Sequence, residues 1–204
     1  MKGRDVFINC PFSGDYQGFF EAIVFTVLRS GFEPRCAREN DDGAEVRVDK
    51  ICRIIAQCRY GVHDISKTEL DPDSRLPRFN MPLELGLFMG ARAFGGRGQS
   101  GKKALIFDRA AHRYQAFMSD IAGQDIHSHG GEIGGLIERL AAWLRDEARD
   151  PLVPVGRAMA AEFARFRADL SAIAASKRLE PGELTFKDLT VIVSCWIVTL
   201  HEAN

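Results

Sequence analysis

Glu84 is the acidic residue of Phe79-Asn80-Met81-Pro82-Leu83-Glu84-Leu85-Gly86-Leu87-Phe88, a helix start otherwise free of charge. The residues three and four positions away, Asn80, Met81, Leu87 and Phe88, include no cation, so no local ion pair accounts for it. Two readings stay open. With Pro82 at the first helical position, Glu84 falls near the third, where glutamate reaches back to cap the helix. Alternatively, the helix N-terminus keeps the carboxylate ionised beside a pocket. There it acts as a nucleophile or stabilises an oxocarbenium-like sugar, as carboxylates do in glycoside chemistry.

Further polar residues fall where strands end. Asp64, in His63-Asp64-Ile65-Ser66, closes an apolar run, so it either bonds a sugar hydroxyl at the mouth of an α/β pocket or begins the next turn. Asn9-Cys10-Pro11-Phe12 occupies the loop after the first strand, where many such folds meet a base or a phosphate. Phe12 stacks on a base or simply packs. Cys10 has no neighbouring base to activate it and reads as a packed thiol near the pocket. Arg35 and Arg38 leave the second strand at the same end and either grip a phosphate or remain solvated. His127-Ser128-His129 lacks nearby acidic or thiolate ligands, so no metal is assigned. GxGxxG is absent after the first strand and GxxxxGK[ST] throughout, which removes Rossmann dinucleotide binding and P-loop hydrolysis.

The elements that must position these residues alternate. Strands are expected at Val6–Cys10, Phe32–Ala37, Tyr60–Ile65 and Lys103–Asp108, with a fifth near Gln124–His127. Pro34 places the second at a sheet edge. Helices are expected over Tyr16–Ser30, where Gly31 closes the segment, over Met81–Ala93 and over Ile133–Arg145. A further one carries Val48, Ile51, Ile54, Ile55 and Cys58 inside, with Arg47, Asp49, Lys50 and Arg53 outside. Tyr114–Met118 reads as a short helix. The polar stretch from Ser66 to Phe79 is too long for an ordinary connection and reads as a lid. Such alternation predicts parallel strands joined by right-handed crossovers, covered on both faces, with ligands beyond the strand carboxyl ends.

After Pro151 the pattern changes to two helices, Val155–Ser176 and Thr185–His201, so 1–150 reads as the α/β domain and 151–204 as a helical appendage. The last helix, around Cys195 and Trp196, is apolar on nearly all sides yet shorter than the ~20 residues of a membrane span. It predicts burial or a homo-oligomer contact. Lys plus Arg number 27 against 28 Asp plus Glu, which argues against a nucleic-acid partner. Five cysteines without a CxxC pair suggest neither a disulfide framework nor a zinc site. The N-terminal residues run straight into an apolar strand without the features of a signal peptide, so a cytoplasmic protein is expected.

Tyr60 to Ser66 followed by Asn80-x-x-x-Glu84-Leu85-Gly86 resembles the nucleoside 2-deoxyribosyltransferase-like and bacterial TIR-like nucleotide-binding domains, over about residues 5 to 145. The resemblance implies a flavodoxin-like, doubly wound parallel sheet of about five strands, here followed by the small helical appendage. It also implies cleavage or transfer at an N-glycosidic bond of a nucleoside, nucleotide or NAD. NAD would be a substrate rather than a cofactor, and no cofactor is implied. Glu84 would be the catalytic carboxylate, Asp64 and Asn80 would hold the ribose, and Asn9 to Phe12 would lie beside the base or phosphate. The alternative is a non-catalytic module that senses a nucleotide and signals through its C-terminal helices.

Overall fold

Short β-branched and aromatic runs form the strands, and each is followed by an amphipathic segment that folds back over the sheet. The computed structural model describes residues 3–39, 42–70 and 75–202. In chain order these residues form β1 (Asp5–Asn9), α1 (Gln17–Arg29), β2 (Glu33–Arg35), α2 (Arg47–Gln57), β3 (Tyr60–Asp64), α3 (Asn80–Phe94), β4 (Lys103–Asp108), β5 (Ile126–Ser128), α4 (Ile133–Ala148), α5 (Gly156–Ser176) and α6 (Phe186–Glu202). All strand pairs are parallel, in the order β2-β1-β3-β4-β5. This is the flavodoxin-like α/β arrangement, whose connections reverse direction between β1 and β3.

Strand alternation sorts the two faces. Val6, Ile8, Tyr60, Val62, Leu105 and Phe107 pack with α1 and α4. Phe7 packs on the opposite face with Ile51, Ile54 and Ile55 of α2 and Phe88 of α3. On that second face Gly61 leaves space for its neighbours, since a Cβ there would stand 2.5 Å from His63 Nε2 and 2.9 Å from the Phe88 ring.

Several elements differ from expectation, each for a local reason. β2 is only three residues long, at the edge where Pro34 can sit without donating to a ladder. In α2, Lys50 is buried and Val48 exposed, the reverse of the predicted faces. The first turn of that helix overhangs the carboxyl edge of the sheet, so apolar periodicity does not decide what is covered there. Between β4 and β5 the chain makes two 3-10 turns, Arg113–Ala116 and Ser119–Ile121, instead of a crossover helix. Arg113 fixes this connection by pairing with Asp108 at 2.6 Å and donating to the Ile65 and Ser66 carbonyls.

The C-terminal helices share the main core. Phe25 of α1 meets Phe163 at 5.5 Å, Phe166 at 5.3 Å and Trp196 at 5.6 Å between ring centres. Arg29 pairs with Glu162 at 2.7 Å, and the buried Glu21 pairs with Arg167. The body of the protein thus supplies the burial surface that the apolar α6 needs: Leu189, Ile192, Val193 and Trp196 point inward, while Val191 and Val198 face out. Among the described residues no helix is long and apolar enough to cross a membrane.

Cutting the chain after Asp150 would strip α5 and α6 from α1 and α4 and expose the aromatic layer around Phe25. The truncated chain is expected to bind a hydrophobic dye and to lose its near-ultraviolet circular dichroism. A soluble fragment with native-like aromatic signals would mean that residues 1–150 form a self-sufficient domain.

Candidate functional site

The reversal between β1 and β3 leaves a gap at the carboxyl edge of the sheet, and side chains from three directions meet in it. The end of β1 contributes Asn9 and the loop after it Cys10, Phe12 and Ser13; α3 contributes Asn80, Met81 and Glu84. Arg47, from the first turn of α2, and Lys67 and Arg78, from the β3–α3 connection, complete a cleft of about 230 Å³.

Glu84 is 7% exposed. α3 begins at Asn80, so Pro82 is its third residue and Glu84 its fifth, two positions later than the sequence suggested. Pro82 fits there because the first four N–H groups of a helix lack intrahelical partners. Glu84 lies beyond the first turn, makes no capping bond and is too far along to be held ionised by the helix dipole. Burial instead pushes its carboxyl up to about 7, against the opposing pull of Arg47. The group is therefore poised to exchange a proton near neutrality.

Asn9 fixes the geometry around it. Its Nδ2 donates to the Met81 carbonyl at 2.8 Å and lies 3.0 Å from His63 Nδ1, tying β1 to the first turn of α3 and to β3. With both amide hydrogens turned inward, Oδ1 is the end of the amide left to meet a ligand. His63, wholly buried between Phe7 and Phe88, has its pKa lowered to about 3 by desolvation, so it stays neutral and accepts from Asn9 through Nδ1. Lys67 is held over the loop by Ser13 at 2.7 Å and Asp15 at 2.8 Å. Burial, followed by the carboxylate of Asp64, raises the Cys10 thiol well above its ordinary value, so it lines the wall as a packed thiol.

Of the residues singled out in the sequence, Glu84, Asn80, Asn9, Cys10 and Phe12 meet in this cleft, and Asp64 and Arg35 do not. Asp64 shares strand parity with Tyr60 and Val62 and so points to the α1 side, whereas Asn9 points to the α3 side. Wholly buried, Asp64 accepts from the Tyr16 hydroxyl at 2.5 Å and the Ser66 N–H at 2.8 Å, and lies 3.2 Å from His129 Nε2. Its place is a brace beneath the site rather than a contact within it. Arg35 spends its guanidinium on Glu39, at 2.6 and 2.7 Å, and on Gln57. His127 stands 3.7 Å from Asp125, its ring and that of His129 both lie beside Phe107, and among the described residues no group of three metal-ligating side chains occurs. The expected lid includes residues 71–74, which lie outside the described residues; Leu70 and Pro77 on either side form an isolated antiparallel bridge.

The rim cations Arg47, Lys67 and Arg78 escaped the sequence reading. Arg47 carried the only usable signal: it lies four residues before Ile51 on the same helical stripe, one turn past the edge of the sheet. Lys67 and Arg78 lie in a segment without periodicity, where nothing marks a side chain as facing inward.

No known protein family, curated protein or solved structure matches the chain. The fold defines the class, a flavodoxin-like α/β protein with C-terminal helices, and the cleft alone carries the functional argument.

Two predictions follow from these placements. Asp64→Ala leaves the buried Tyr16 hydroxyl and Ser66 N–H without their acceptor and is expected to cost about 3–5 kcal/mol in urea unfolding. A loss of ligand affinity at unchanged stability would return Asp64 to the cleft. Glu84 titrates at 4.5 when unfolded and about 7 when folded, so the stability it contributes is complete below pH 4.5 and lost as pH rises through 7. His63 slopes oppositely: its contribution is present above pH 6.5 and lost as pH falls toward about 3. Glu84→Gln removes only the first slope. It is expected to match wild type at pH 4.5 and to exceed it by about 3 kcal/mol at pH 8, and equal stabilities at pH 8 would mean that the carboxylate is solvated or paired.

Proposed function

We propose that this protein cleaves or transfers at the N-glycosidic bond of a nucleoside, nucleotide or NAD, with Glu84 as the catalytic carboxylate. The setting we propose is the cytoplasm. The observation that carries this reading is Glu84 itself, a buried carboxyl without a hydrogen-bonding partner among the described residues, in a cleft at the topological switch point. As the bond from C1′ to the base breaks, its electron pair leaves with the base and positive charge grows on the sugar. That charge lowers the proton affinity of Glu84, so its proton passes to the departing base, or to solvent where the base leaves neutral as nicotinamide does, and the ionised carboxylate remains where the oxocarbenium develops. Water or a second base then bonds to C1′, and the carboxylate takes up the proton that the acceptor sheds. Phe12 offers a face for a base, Asn80 and the Asn9 carbonyl oxygen offer contacts to hydroxyls, and the rim cations suit a phosphorylated ligand.

A second reading, a nucleotide sensor acting through its C-terminal helices, is supported by one contact. Phe186, in the first turn of α6, lies 6.1 Å from Phe20, which itself packs edge-on at 5.3 Å against Phe12 of the cleft. Occupancy beside Phe12 has a short packed route to α6.

Chromatography of wild type and Glu84→Gln incubated with NAD and a panel of nucleosides and 5′-nucleotides separates the two. Base release by wild type, reduced at least about a hundredfold in the variant, is expected for the glycosidase. Silence from both proteins, with a panel member bound and recovered intact, would favour the sensor. Equal release by both would remove Glu84 from the chemistry.

A further inference from the structure

α3 buries one face and leaves the other open. Met81, Leu85 and Phe88 point into the body, and the charged residues of the helix, Glu84 and Arg92, turn to the cleft and to the β4 side. The opposite face carries Phe79, Leu83, Gly86, Gly90 and Phe94, spaced by four, three, four and four residues, so they form one stripe along the helix. Phe79 is 56% exposed, Leu83 58% and Phe94 92%. An uncharged stripe of this length, with two phenylalanines in water, marks a contact surface.

The two glycines have no use within one copy of the chain. Both are helical, and a Cβ added at Gly86 or Gly90 would meet nothing within 4 Å. Glycine inside a helix is less stable than alanine, so internal packing alone would favour alanine at both positions. What the glycines provide is a saddle walled by backbone, on which another helix can lie close. The large residues flank that saddle evenly. From the midpoint of the two glycines, Leu83 lies five residues toward the N-terminus and Phe94 six toward the C-terminus, about 7.5 and 9 Å along the axis. A second α3 laid antiparallel across the saddle sets each Phe94 beside the other's Leu83 and the glycines against one another. Because the stripe is uncharged, no like charges meet across the two-fold axis.

We propose that the α3 stripe is the interface of a two-fold dimer whose partner is a second copy of this chain. Two phenylalanines at these exposures offer roughly 300 Å² per copy, a large share of the ~800 Å² that each partner gives to a standard interface. Leu83, the glycine backbone and the near edge of α2 extend that area. On α2, Val48 and Cys52 are exposed on the flank opposite Gln57, whose side-chain oxygen accepts from Arg35 at the β2 edge, so they widen the stripe on the α3 side. The contact stands apart from the C-terminal helices and does not rest on the chemistry assigned to Glu84.

Sedimentation velocity of the full chain across the micromolar range, under reducing conditions, tests the assignment. Wild type is expected to pass from one copy to two and to stop at two. Leu83→Glu/Phe94→Glu is expected to weaken the dimer at least about a hundredfold, because the new charges meet across the axis, with the melting curve of the diluted protein unchanged. Gly86→Ala/Gly90→Ala is expected to raise the melting temperature of the diluted protein and yet weaken the dimer at least about tenfold, an opposition that a purely internal role for the glycines would not give. A wild type that stays monomeric, association that runs past two copies, or a dimer unaffected by Leu83→Glu/Phe94→Glu would overturn the proposal. So would a dimer lost only in Val191→Glu/Val198→Glu, which would move the contact to the outer face of α6. Failure of base release leaves the dimer standing and removes only the role of Glu84.

Discussion

The right-handedness of parallel crossovers is the constraint on which the rest of this structure depends. The first crossover runs from β1 outward to β2, and the next returns past β1 to β3. Handedness then places α1 on one face and α2 with α3 on the other. At the seam no connection closes the carboxyl edge, and the cleft opens there. The edge position of β2, the short loop after β1 and the approach of the first turn of α3 all follow from that reversal.

Asn9 occupies this seam. Its amide links a histidine on the neighbouring strand to a carbonyl in the first turn of α3, so one buried group sets the distance between β1 and the helix that carries Glu84. His63 accepts that bond as a neutral imidazole, the form its burial favours, and Gly61 leaves room for its ring beside Phe88. On the opposite face, Asp64 ties the turn before α1 and the loop after β5 to the end of β3. The site is braced from both sides of the sheet by polar groups that do not enter it.

The electrostatics of the cleft arise from burial and from neighbours that fall short of contact. Glu84 is shielded from water on a helix whose near residues are apolar, and Arg47 is close enough to favour its charge without pairing with it. Phe186, in the first turn of α6, packs through Phe20 onto Phe12 of the cleft. That makes the C-terminal helices part of the support of the site as well as part of the core.

The sequence by itself determined the order of elements, the parallel class of the sheet and the edge position of β2. Hydrophobic period and proline placement are local properties, which tertiary contacts overruled at the first turn of α2, where Lys50 is buried and Val48 exposed. It also determined that Glu84 lacks a local cation, since helical neighbours are fixed by spacing. Tertiary structure alone decided which charged residues share a cavity. Arg47 and Lys50 looked solvent-facing by periodicity, yet α2 overhangs the sheet at that point. Asp64 stood at the expected strand end but on the opposite face from α3, a consequence of register and pleat between strands distant in sequence. The true start of α3, and with it the replacement of a capped, ionised Glu84 by a buried one with raised proton affinity, depended on how the preceding connection reaches the sheet. Long-range packing fixes burial, and burial fixes the proton affinity of Glu84.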